Sequence, residues 1–176
     1  MRRVVVTGMG GVSSLGDSWE SIENAFRTGR SGVRYMSEWE RFGDMGTRLG
    51  APCDHFAVPA QWTRKQLRGM GRVSQLAVRA SELALADAGL LNDEQLGDGS
   101  MGVACGSCIG STADVVDFSQ MLTSNDGSRV NANTYIRMMP HTAAANVSIF
   151  VLGVVLIGSF LLASWRLGRF EIRGGD

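Results

Sequence analysis

The chain has 176 residues, the length of one domain, or of one domain with a short appendage. Hydrophobic residues at 44% and charged residues at 19% exclude a disordered chain, and 17 basic against 17 acidic residues exclude the basic excess of a nucleic-acid binder. Three cysteines argue against a disulfide framework and fit a reducing compartment, while 23 glycines without a Gly-X-Y period indicate tight turns, not collagen.

In chain order, Met1 to Gly8 places only three apolar residues before a polar turn, too short for a signal peptide. Arg3 to Thr7 reads as a short buried strand and Gly8 to Gly16 as a glycine-rich loop. Asp17 and Glu20 resemble a capping box, opening a helix with Trp19, Ile22 and Phe26 on one face and Gly29 as its stop. Residues 30 to 62 have weak periodicity and hold two of the three prolines, so loops with short elements are expected. Val73 to Ala88 carries the clearest helical pattern, with Leu76, Ala77, Ala80, Leu83, Ala84 and Ala88 on one side and Gly89 at the end. Met101 to Cys105 reads as a second buried strand. A helix from Ser111 to about Leu122 precedes the turn Asn125-Asp126-Gly127, and Pro140 suits the first turn of a helix through Thr142 to Ile149. This alternation predicts an α/β fold, a sheet with helices packed on it.

Composition changes near residue 150. No Asp, Glu, Lys or Arg occurs between Arg137 and Arg166, and Val147 to Trp165 is apolar apart from three serines and two glycines. A charge-free apolar run of about 18 residues or more is a transmembrane-helix candidate, with Trp165-Arg166 as an interface anchor. A buried strand or helix of a soluble core is the other reading of this segment.

Several motifs bear on chemistry. Gly8-Met9-Gly10-Gly11-Val12-Ser13 follows a strand and precedes a helix, as a dinucleotide fingerprint does, but Ser13 replaces the third glycine and no acidic residue follows at the required distance. The P-loop pattern fails because Asp17, not Lys, follows Gly16. A structural turn is the expectation. Cys105-Gly106-Ser107-Cys108 is a C-x-x-C, and a Cys3His zinc site can be drawn from Cys53, His55, Cys105 and Cys108, although the Cys53–His55 spacing is unusual for zinc ribbons and fingers. Small buried residues lining a turn are the expected role of these cysteines. His55 and His141 are the only histidines; His141 has no partner visible in sequence, and a capping or core role is expected for it.

A family resemblance gives these readings a frame. The opening from Arg2 to Val33 resembles the N-terminus of the β-ketoacyl-acyl-carrier-protein synthases of the synthase II type. So do Thr63-Arg64-Lys65 with Arg68 and Met70, the stretch Ser74 to Leu90, the loop Gly102 to Gly110, and Met139 to Ser148. The resemblance covers residues 1 to about 150 and implies the N-terminal half of a thiolase-like layered α/β/α/β/α sandwich. That half would be incomplete and followed by the hydrophobic helix candidate. It divides the chain into a partial synthase domain over 1–150 and an unrelated hydrophobic tail over 151–176.

The resemblance implies acyl transfer by decarboxylating Claisen condensation in fatty-acid biosynthesis. A cysteine thiolate would take the acyl group, two histidines would promote decarboxylation, and backbone amides would hold the oxyanion. The family's Ala-Cys-x-Ser-Gly nucleophile segment is expected where this chain reads Val151 to Gly158, and no cysteine lies beyond Cys108. The histidine segments belong to a second half, so no catalytic position carries over. By resemblance, the loop Gly106 to Gly110 lines the acyl channel, with Cys108 within it and Ile109 gating chain length. Tyr135 to Met139, including Met138, reaches the pocket at the homodimer interface. The implied partners are acyl carrier protein, an acyl thioester and a second copy of the chain, with no nucleic acid, no metal and no cofactor. The setting implied is cytoplasmic. The favoured reading is a truncated or frame-disrupted, inactive synthase. The alternative is a non-catalytic membrane-anchored interaction or dimerisation module with membrane contact through Val147 to Trp165.

Overall fold

Six α-helices and one short sheet are found among residues 3–151, which are the residues described by the computed structural model. Helix α1 spans Trp19–Arg27. Its N-cap is Ser18, whose side chain accepts from the Ser21 amide at 3.2 Å, rather than the expected Asp17. The helix ends in a Schellman motif: Gly29 N–H donates to Phe26 O and Arg30 N–H to Ala25 O, with Gly29 at φ +65°. The expected apolar face is not the buried one. Trp19 and Phe26 are exposed, Ile22 is half-buried, and Ala25 is fully buried. The buried position of α1 is thus its small side chain, with the aromatics left outside.

The segment 30–62 holds strands β1 (Arg34–Tyr35) and β2 (Leu49–Gly50), paired antiparallel with Arg34 opposite Gly50 and Tyr35 opposite Leu49. Helix α2 (Arg64–Leu67) is one turn with a full capping box between Thr63 and Gln66. Helix α3 (Arg72–Asp87) falls within a residue of its expected span and closes in the same way as α1, with Gly89 at φ +70° and Leu90 N–H donating to Leu85 O at 2.8 Å. Helix α4 (Thr112–Ser124) ends at Asn125, which is left-handed at φ +55°. Helix α5 (Ala132–Met138) was not expected from periodicity. Helix α6 (Thr142–Val151) packs on α3.

The expected strands Arg3–Thr7 and Met101–Cys105 are a correction. Neither is a strand, and Val4, Val5 and Val6 are 95%, 66% and 79% exposed. An extended segment becomes a strand only by hydrogen bonding to a neighbour. Among the described residues no neighbour pairs with either segment, and the only sheet is β1–β2.

The core is centred on Phe56, Trp62, Met70, Val78 and Val147, with Val12, Leu67, Leu76, Val103 and Phe150 packed around them. Trp62 keeps its indole N–H satisfied by donating to Glu82 Oε1 at 2.8 Å. The Arg72 guanidinium lies 4.6 Å from the Phe56 ring centre and donates to Cys53 O at 2.8 Å, which ties the 53–56 loop to the start of α3. Asn146 Nδ2 donates to Gly69 O, tying α6 to the link between α2 and α3.

The glycine-rich loop is a packing device. A Cβ on Gly8 or Gly10 would overlap the backbone of α3 at Ala84, whereas one on Gly11 would meet open space. The loop lies directly on the helix, with Met9 N–H donating to Asp87 Oδ2 at 2.9 Å. This agrees with the structural-turn expectation.

Among the described residues no helix is long and apolar enough to cross a membrane. Of the apolar run, Val147 to Val151 form the end of α6, where Val147 is buried in the core. Membrane contact at Val147 is therefore corrected, since that side chain lies in the core. The rest of the run, and the tail from 152, lie outside the described residues.

Candidate functional site

The loop from Cys105 to Gly110 meets the C-terminal end of α5. A Cβ on Gly110 would overlap the carbonyl oxygens of Met138 and Arg137, so only glycine permits this contact. Next to it, Ser111 N–H donates to Arg137 O at 2.8 Å. Within the loop, Ser107 Oγ donates to Ile109 O at 2.7 Å. Ile109 is 43% exposed, Cys108 is exposed and Met138 is half-buried. The structure thus brings the Cys108–Ile109 segment and the backbone of Met138 into one region, although Met138 is distant from the other two in sequence.

A partly buried ion pair supports this junction. Arg137 donates through Nε at 2.9 Å and Nη2 at 2.6 Å to Asp114 Oδ1, and Asp114 is only 5% exposed. Asp114 lies in the first turn of α4, where a carboxylate also meets the free N–H groups and positive dipole end. Asn131 caps α5 by accepting from the Asn133 and Thr134 amides, while Thr142 Oγ1 donates to Ile136 O at 2.6 Å and joins α5 to α6. The pair carries the same junction as Ile109 and Met138, yet nothing in the sequence points to it. Asp114 and Arg137 are 23 positions apart and form no spacing pattern. The Asn131–Thr134 capping pair is the one local signal from which α5 could have been found.

The cysteines are not buried turn residues as expected. Cys105 and Cys108 are exposed and Cys53 is half-buried, and all three are free. The zinc set Cys53, His55, Cys105 and Cys108 does not come together: among the described residues no group of three His, Cys, Asp or Glu side chains is placed to hold a metal. His55 instead borders a polar cleft with Arg30, Ser14 and Ser18 beside α1. His141 is exposed, immediately before α6, so a core role for it is corrected. A second cleft, of about 640 Å³, lies between Gly10, Trp19, Leu83 and Asp87, and contains none of the residues singled out as substrate-facing.

Three comparisons place this geometry. The family model described as "Beta-ketoacyl synthase, N-terminal domain" matches residues 1–154. Nodulation protein E of Rhizobium leguminosarum bv. trifolii is 36% identical over 188 aligned residues, covering 97% of this chain and 45% of the relative. The 3-oxoacyl-[acyl-carrier-protein] synthase 2 of Synechocystis is 29% identical over 148 residues, covering 84% of this chain and 35% of that protein. The crystal structure of a beta-ketoacyl synthase from Burkholderia phymatum superposes with a TM-score of 0.82 at 54% identity, covering 88% of this chain and 38% of that one. The chain spans less than half the length of these relatives.

Proposed function

We propose, from the premise that this chain belongs to the β-ketoacyl synthase family, that residues 1–150 form the substrate-shaping part of a ketosynthase N-terminal domain. In this reading Cys108 and Ile109 line the acyl channel, Ile109 limits chain length, and Met138 reaches the pocket from the end of α5. The observation that carries it is the seating of Gly110 on the Met138 and Arg137 carbonyls, which makes the loop and the helix end one wall. The reaction served is decarboxylating condensation of acyl-carrier-protein thioesters, with acyl carrier protein and a second copy of the chain as partners and the cytoplasm as setting. Synthase 2 of Synechocystis carries acyl-carrier protein in its name, which supports this choice of substrate carrier.

These 176 residues supply the shape of that site and not its nucleophile. Ala104-Cys105-Gly106-Ser107 begins like the family's Ala-Cys-x-Ser-Gly segment, but Cys108 stands at the glycine position. Cys105 also lies in a loop, with α4 starting only at Thr112, so no helix N-terminus is there to stabilise its thiolate. The boundary proposed near residue 150 lies close to the end of the family match at residue 154.

A photoreactive acyl group on acyl carrier protein tests the channel. Trypsin leaves Cys108 and Ile109 in the fragment following Arg79 and Met138 in the fragment following Arg137. Crosslinks concentrated in those two fragments are expected. Crosslinks spread over the chain, or centred on the cleft by Trp19, would overturn the assignment.

A further inference from the structure

The C-x-x-C is left unused by the channel reading, and its surroundings suit a redox pair. Both thiols are exposed and free, and a bend lies at Cys108. A Cβ on Gly106 would meet open space, so the backbone between the two sulfurs has room to adjust. The loop is fixed on both sides: Val103 packs against the core, and Gly110 rests on the end of α5. A disulfide needs Cα atoms about 4.4–6.8 Å apart, and three residue steps span at most about 10 Å when extended, so a modest bend brings the pair within range.

We propose that Cys105 and Cys108 form a reversible dithiol–disulfide couple that exchanges with low-molecular-weight disulfides such as oxidised glutathione. In the first step one cysteine thiolate attacks a glutathione sulfur, forms a mixed disulfide and expels glutathione thiolate. The second cysteine, as thiolate, then attacks the protein sulfur, forming the Cys105–Cys108 bond and expelling the other glutathione. Two electrons pass to glutathione disulfide, and the two protons lost by the protein thiols are taken up by the two released thiolates. Ile109 is the next residue, so closure moves the segment that carries it. If Ile109 faces the acyl chain as proposed above, chain-length preference becomes redox-dependent, but the couple itself does not depend on that role.

The test is mass spectrometry of the purified protein equilibrated across glutathione redox buffers, alkylated and cut with trypsin. No Lys or Arg lies between Arg79 and Arg129, so both cysteines fall in one fragment and Cys53 in another. The expected result is a fragment two hydrogens lighter and closed to alkylation under oxidising buffers, restored by reduced glutathione, with Cys53 still alkylated. Cys108→Ser is expected to leave a glutathione mixed disulfide on Cys105. The closed fraction should be higher in the native protein than in urea at the same buffer ratio, because both ends of the loop are anchored. Two free thiols at every ratio, two attached glutathiones, linkage to Cys53, or equal closure in urea would each overturn the proposal.

Discussion

A methyl group at Gly10 would overlap the α3 backbone at Ala80 and Ala84, while the same group at Gly11 would meet nothing within 4 Å. The two positions therefore separate packing from nucleotide binding. Gly10→Ala is expected to destabilise by about 1–3 kcal/mol, the usual cost of overpacking, and Gly11→Ala to change stability little. Denaturant melts of the two variants measure this; equal effects would contradict the packing role. Asp114→Asn removes the charge that the Arg137 guanidinium faces at a buried site. A loss of about 1.5–3 kcal/mol is expected, the range for hydrogen bonds to charged groups, together with a looser 106–110 loop seen as faster amide exchange at Ser111. An unchanged melt and unchanged exchange would show that the pair does not support the junction.

At the scale of elements, the helices with strong local signals were legible and the others were not. Helix α3 combines a long apolar stripe with a glycine whose left-handed backbone completes the Schellman bonds, so both its span and its end can be read from sequence. Gly89→Ala should cost about 1 kcal/mol by thermal or chemical unfolding, because φ +70° is poorly tolerated by a residue with a Cβ. No cost would mean that the C-terminal turn of α3 rearranges freely. Helix α5 has only seven residues and too short an apolar pattern to register, and its position depends on contacts with Gly110, Asp114 and Thr142 from other elements. The exposed Trp19 and Phe26 of α1 misled for a related reason. Periodicity identifies a face, but which face is buried depends on what approaches it, and here the buried residue is Ala25.

At the scale of the molecule, the expected central strands are the main difference between sequence and structure. Val4 to Val6 and Gly102 to Ala104 have strand-like composition, but a ladder needs partner strands that are not local, and the chain covers only 38% of the ketosynthase it superposes on. Hydrogen exchange on this polypeptide should find the amides of Val4–Val6 and Gly102–Ala104 unprotected and those of α3 and α6 slowest, since only the latter pair within buried helices. Protection of residues 4–6 equal to that of α3 would contradict the fold described. The proposed channel wall was legible only through family resemblance. The residues that fix it, Gly110 and the Asp114–Arg137 pair, act through contacts that spacing does not encode.

The most direct measurement of the central claim is acyl transfer to the 176-residue polypeptide, using radiolabelled acyl-carrier-protein thioester with malonyl-carrier protein present. No label on Cys53, Cys105 or Cys108 and no 3-oxoacyl product are predicted, because in the proposed reading this polypeptide contributes to the shape of the acyl site and does not supply its nucleophile. A stable acyl-cysteine together with condensed product would contradict the account.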